Sequence, residues 1–172
     1  MDFFEAVKAR HSIRAFAAQP VEPEKLQTIL ETINRAPSAG NLQAYEVVAV
    51  TRRSCLDALV RAALNQDFIG QVSIALVFCA CPARSMPKYG KRGAALYCVQ
   101  DATIACAYAQ LAATALGLAT VWVGAFDDHG VRQAIGVGDD RLPVAVLPIG
   151  YATEEPPAKA RRSLDDLVRY IK

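Results

Sequence analysis

The sequence predicts an α+β fold in which a central sheet is wrapped by helices. Three observations carry that expectation. Continuous apolar runs with strand character, Ile74–Cys81 and Val144–Ile149 among them, are separated by segments whose apolar residues recur at helical spacing. Strands do not alternate regularly with helices, which argues against a doubly wound sheet. The 172 residues suit one domain, 1–172, large enough to bury its own core without disulfides or metal, with 153–172 as an extended C-terminal arm.

Asp2 followed by Glu5 is an N-cap signature for a short first helix ending near Arg10. Pro20 and Pro23 open a second helix, with Leu26, Ile29, Leu30 and Ile33 on one face, and Pro37 stops it. Ser38-Ala39-Gly40-Asn41 has turn chemistry, and a strand follows over Glu46–Val50. Leu56, Leu59, Val60, Ala63 and Leu64 mark a third helix, and Ile74–Cys81 is a strand buried on both faces. Pro82, Pro87, Gly90 and Gly93, mixed with Lys88, Lys91 and Arg92, predict a mobile surface loop over Pro82–Gly93. A long apolar helix is expected over Leu96–Leu116, ended by Gly117. Then come a strand over Ala119–Val123, a short helix over Asp128–Ile135 and a core strand over Val144–Ile149. Thr153–Arg162 is proline-rich and charged, hence an arm, and Ser163 with Asp166 caps a last short segment.

Composition narrows function by exclusion. Lys and Arg number 19 against 17 Asp and Glu, a net charge of +2, so no whole-molecule basic field for nucleic acid is expected. Ile104–Leu118 is apolar, but Gln100, Asp101, Thr103 and Gln110 interrupt the wider window and no membrane span is expected. The N-terminus lacks the basic and apolar stretches of a signal peptide, and the five cysteines sit mostly in apolar runs without a C-x-x-C. Buried thiols in a cytoplasmic protein, with no metal site, are the expectation.

Common catalytic motifs are nearly absent. Gly136-Val137-Gly138 precedes a strand instead of following one, which disfavours a dinucleotide loop, and His129 beside Asp127 and Asp128 reads as helix-capping surface. Arg10, His11, Ser12 and Arg14 stand where a helix gives way to a loop. They could grip a phosphate through guanidinium and hydroxyl donors, or merely complement a helix dipole. Lys159-Ala160-Arg161-Arg162 has the same two readings: an anion site or a solvated charge run. Pro37-Ser38-Ala39-Gly40-Asn41-Leu42-Gln43 places amide side chains just before a core strand. Gly124-Ala125 ends another strand with small residues that let a flat ligand approach the backbone.

Taken in order, R-H-S-x-R after the first helix, P-S-x-x-N-x-Q before the first core strand, a small-residue turn followed by F-D, and a K-x-R arm resemble the FMN-dependent nitroreductase family. The resemblance runs over essentially the whole chain. It implies a mostly antiparallel central sheet surrounded by helices and a homodimer with FMN at the subunit interface. The long apolar helix would contribute to that interface. It further implies that Arg10, His11, Ser12 and Arg14, with Lys159 and Arg161, surround the FMN phosphate and ribityl chain. Pro37, Ser38, Ala39 and Asn41 would lie against the partner's isoalloxazine ring. Asn65 would meet the polar edge of the flavin, and Gly124 and Ala125 its N5. Tyr45 stands in a dipeptide where many relatives have Pro-Trp, and Phe68 where some have lysine. These two, with Lys88–Gly93, would border substrate access.

The activity implied is ping-pong hydride transfer from NAD(P)H through the flavin to an electron-poor small molecule, a nitroaromatic or quinone, with no side chain as obligatory catalytic acid. Other FMN chemistry on the same fold (dehalogenation, flavin fragmentation, azoline oxidation) and a non-catalytic flavin-binding dimer are the alternatives.

Overall fold

A four-stranded sheet holds the molecule together. The computed structural model describes residues 1–156 and 159–171; residues 157–158 of the expected arm and its last residue, 172, lie outside the described residues. The elements are α1 (Phe3–Ala9), α2 (Pro23–Asn34), β1 (Tyr45–Val50), α3 (Arg53–Ala62), β2 (Ile74–Ala80), α4 (Pro82–Arg92), α5 (Cys98–Ala115), β3 (Ala119–Thr120), α6 (Asp128–Ile135), β4 (Leu142–Gly150) and α7 (Leu164–Leu167). The strand order is β1-β2-β4-β3, with every neighbouring pair antiparallel. The expected α+β architecture is therefore present.

The residue alternation of β2 explains the layering. Ile74, Leu76 and Phe78 point to one face, where they meet Ile29 and Ile33 of α2 and Ala105, Ala109 and Ala113 of α5. Ala75, Val77 and Cys79 point to the other, among Leu56 and Leu59 of α3 and Val131 of α6. Every residue of β2 is buried, as its uninterrupted apolar run predicts. Alanines along α5 allow it to lie close against the sheet, and Gly117 ends this helix region with φ of 75°.

Local signals explain most boundaries. At α1 the Asp2 carboxylate accepts from the Glu5 N–H at 2.8 Å, and the Glu5 carboxylate accepts from the Asp2 N–H at 2.8 Å. Pro23 opens α2, Asp127 caps α6 by accepting from the Gly130 N–H, and Ser163 caps α7 through the Asp166 N–H.

Two expectations need correction. Pro82–Gly93 is not a loop: Pro82–Arg92 forms α4, with a break at Gly90 (φ 57°, ψ −149°). Pro82 occupies the helix start, where its missing N–H costs nothing, and the carbonyl that Pro87 leaves without an in-helix donor belongs to exposed Ala83, which water can serve. A π-helical turn, Gly93–Tyr97, then leads into α5 at Cys98. The strand expected over Ala119–Val123 is also shorter, because β3 covers only Ala119–Thr120 and Val123 joins the sheet by a single bridge to Val146.

The α4–α5 junction tolerates only glycine at position 93. A Cβ there would stand 2.6 Å from Tyr89 Cβ and 2.8 Å from the Ser85 carbonyl oxygen. Gly93→Ala is expected to cost about 1–3 kcal/mol by overpacking. Urea unfolding checks this, and an unchanged midpoint would contradict the tight junction.

The cysteines are free, and all but Cys55 are buried. Burial pushes the Cys79 thiol from 9.0 up to about 12, and it raises Cys106 further. The unfolded chain therefore sheds these protons at lower pH than the native chain, so stability falls as pH rises from about 9 toward 12. Urea midpoints at pH 7, 9 and 10.5 should decline across the upper pair; a flat profile there would be inconsistent with buried neutral thiols.

Candidate functional site

The segment after α1 is stitched into the sheet on both sides. Ser12 bridges Thr120 in parallel, and the Ile13 N–H donates to the Thr120 carbonyl at 3.0 Å. Phe16 bridges Ala152, the Ala17 N–H donates to the Tyr151 carbonyl at 2.8 Å, and the Thr153 N–H donates to the Ala15 carbonyl at 3.0 Å. The Phe16 N–H also donates to the Gln71 side-chain oxygen at 2.9 Å. These contacts carry the C-terminal arm back to the start of the chain.

One result is a cavity of about 400 Å³ lined by Val7, Lys8, Arg10, His11, Ser12, Pro156, Lys159 and Arg161. Two basic clusters some 150 residues apart in sequence thus share one concave surface. Among the described residues Arg10, Lys159 and Arg161 form no ion pair, whereas Arg162 is committed to Asp166 at 2.7 Å. Arg14 stays out of the cavity wall; its side chain is exposed and its N–H donates to Glu154 at 2.5 Å.

A second locus joins Asn65 to the Gly124–Ala125 turn. Gln66 Nε2 donates to the Ala63 carbonyl at 2.9 Å and to the Ala125 carbonyl at 3.1 Å, and the Asp127 N–H donates to the Ala62 carbonyl at 2.9 Å. Leu64 and Asn65 both have positive φ, at 57° and 59°, and both side chains are exposed. Gly124 lies against the Trp122 indole, its virtual Cβ 3.2 Å from Nε1. Phe68, in the turn Asp67–Gly70, packs against the core between the sheet, α3 and α6.

The third locus is the Pro37–Gln43 loop. Gly40, Asn41 and Gln43 take positive φ of 56°, 57° and 47°, a conformation held by side chains. The Ser38 hydroxyl accepts from the Gln43 N–H at 3.0 Å. Asp101 of α5, only 2 % exposed, accepts from the Ala39 N–H at 2.8 Å and from the Ala44 N–H at 3.3 Å. Pro37, Ser38 and Ala39 line a groove of about 720 Å³ together with Tyr89, Tyr97 and Asp101. Tyr45 is turned to the core, donating its hydroxyl to the Ile33 carbonyl at 3.1 Å; burial and then the Asp101 charge push its pKa up.

The sequence reading missed Lys8, Gln66 and Asp101. Lys8 carried no signal beyond ordinary helix charge. Asp101 carried one, a carboxylate at a position that the apolar pattern marks as interior, where charges occur only with partners.

The sequence model of the Nitroreductase family matches residues 7–73 and 55–151, most of the chain. The chain belongs to the nitroreductase family. It is 30% identical over 160 residues to a Methanothermobacter thermautotrophicus protein provisionally named NADH dehydrogenase/NAD(P)H nitroreductase, covering 91% of this chain and 80% of that one. It is 27% identical over 173 residues to the Bacillus subtilis FMN reductase [NAD(P)H], covering 93% of this chain and 70% of that protein. The solved structure of the Vibrio harveyi NADPH:FMN oxidoreductase complexed with NAD+ superposes with a TM-score of 0.89 at 25% identity, over 99% of this chain and 77% of that one. This nitroreductase-family chain has no helix long and apolar enough to cross a membrane among its described residues, and no metal-binding cluster among them either.

Proposed function

We propose that this nitroreductase-family protein is an FMN-dependent oxidoreductase that takes electrons from NAD(P)H and passes them to a nitroaromatic or quinone. The observation that carries the reading is the cavity shared by Arg10, Ser12, Lys159 and Arg161. Its donor set, two guanidiniums, an ammonium and a hydroxyl, fits a phosphomonoester that carries nearly two negative charges. Bound there, FMN would supply hydride acceptance and donation at N5 in a ping-pong cycle.

The chain's own groups position that cofactor. Ser12 is bridged to Thr120, and at ~3.3 Å per residue the four steps from Thr120 to Gly124 span at most about 13 Å, within reach of a ribityl-linked tricycle. Asn65 would bond the polar edge of the ring, and the backbone of Gly124–Ala125, held by Gln66, would face N5. The Pro37–Asn41 loop would cover the ring bound by a partner subunit, with Phe68 and α4 bordering access for substrate.

Exposed apolar surface supports the homodimer. Phe3 is 63% and Phe4 79% exposed, and Tyr108 of α5 is exposed beside them on a groove that Leu111 and Ala115 also line. Such a patch on one chain calls for a partner surface. Cytoplasmic residence remains part of the proposal.

The test is a visible spectrum of the purified protein, followed by anaerobic mixing with NADH or NADPH and then with a quinone. Yellow protein that bleaches and regains colour is expected. Failure to hold FMN would overturn the cofactor, and failure of both nucleotides to bleach it would overturn the electron donor.

A further inference from the structure

The functional reading leaves one strongly charged feature unassigned. Arg84, Lys88, Lys91 and Arg92 of α4 lie within nine residues, and no Asp or Glu occurs from Pro82 to Gln100. The whole chain carries only +2, so the remainder of the molecule is net negative. Among the described residues none of these four cations forms an ion pair.

Two of them are organised around aromatic rings instead. Lys88 Nζ sits 5.4 Å from the Tyr89 ring centroid, and the Arg92 guanidinium 5.6 Å from that of Tyr97, while Arg92 Nε donates to the Tyr97 hydroxyl at 3.1 Å. The two rings meet edge to face, with centroids 5.2 Å apart. Both tyrosines line the groove that contains Ser38 and Ala39. A Cβ on Gly40 would fall 2.5 Å from Lys88 Nζ and 2.5 Å from the Tyr89 hydroxyl, so these groups rest directly on the loop.

We infer that the α4 cations beside this groove hold the adenosine 2′-phosphate of NADPH and make the protein prefer NADPH to NADH. The inference rests on the proposed function, in which the Pro37–Asn41 loop faces a flavin. A nicotinamide stacked on that flavin would have the rest of its dinucleotide run outward past the loop, against which Lys88 and Tyr89 of α4 lie. There the two tyrosines that line the groove offer aromatic surface for a purine to pack on, and the cations about the break at Gly90 can take a dianionic monoester. The pyrophosphate is common to both nucleotides and would give no preference.

The experiment compares kcat/KM for NADPH and NADH, with one quinone as acceptor, in the wild-type holoenzyme, in Lys91→Ala and in Arg84→Ala/Lys91→Ala. Calorimetric titration with adenosine 2′-monophosphate is run beside it, with adenosine 5′-monophosphate as the comparison. The wild type should favour NADPH by about tenfold or more. The double variant should lose about thirtyfold with NADPH and less than about threefold with NADH, at the scale of one or two charge-assisted contacts. The single variant should lose part of that, and the 2′-monophosphate should bind the wild type more tightly than the 5′-isomer. Equal use of the two nucleotides by the wild type, or equal losses for both in the variants, would overturn the assignment. Neither nucleotide bleaching the flavin would instead sink the donor reading, and this assignment with it.

Discussion

Arg10→Ala combined with Arg161→Ala is expected to yield a folded but colourless protein. The two guanidiniums come from opposite ends of the chain and line one small cavity with Lys159 and Ser12. A charge-assisted hydrogen bond contributes ~1.5–3 kcal/mol, and partial solvent exposure sets the lower end of that range here, so losing two weakens FMN binding by about a hundredfold. Dialysis followed by absorbance at the flavin band measures it directly. Arg162→Ala is the control, since Arg162 bonds Asp166 and not the cavity, and its flavin content should match the wild type. Stoichiometric yellow flavin retained by the double variant would refute the phosphate assignment.

The second large effect is expected at Asp101. Its carboxylate accepts the Ala39 and Ala44 N–H groups, and Asp101→Ala leaves both without that acceptor beneath a loop whose backbone is already strained at Gly40, Asn41 and Gln43. An unsatisfied buried donor costs ~1–3 kcal/mol, which gives about 3 kcal/mol for the pair after partial access of water. For a protein of this size that lowers Tm by roughly 6–12 °C. Asp101→Asn keeps one acceptor oxygen and presents an N–H₂ where the other stood, so it should fall between wild type and alanine. Flavin affinity should decline in the same order, because the loop is proposed to cover the partner's ring. Wild-type stability in Asp101→Ala would show that the loop holds itself.

How far these features were legible in the sequence depends on how local their causes are. The Asp2–Glu5 capping box, Pro23 at the head of α2 and the uninterrupted apolar run of β2 act within a few residues, and each is seen where it was expected. α4 was not legible because Pro82, Pro87, Gly90 and Gly93 are turn signals when read singly. The structure places Pro82 at a helix start and uses Gly90 as a break, while Gly93 gives clearance for Ser85 and Tyr89. The basic clusters of the candidate site were visible, but their meeting depends on the bridges Ser12–Thr120 and Phe16–Ala152, pairings across more than a hundred residues. The same distance hid Asp101: periodicity showed a charge in an apolar helix, while its two N–H partners lie 57 and 62 residues earlier. Lys8 rather than Arg14 lines the cavity, a distinction fixed by the turn of the chain at Ser12 and invisible to spacing.

The stitching of residues 12–17 between Thr120 and the 151–154 segment has a consequence for biogenesis. During synthesis the four core strands are complete once residue 150 has emerged, yet the wall of the basic cavity still lacks the lysine and arginine that follow. A ribosome-bound chain can therefore assemble its core before it can close that wall, and closure requires ordering an arm that meets the start of the chain across 140 positions. If the cavity holds the flavin phosphate as proposed, a chain truncated before Lys159 should fold its core and fail to retain the cofactor.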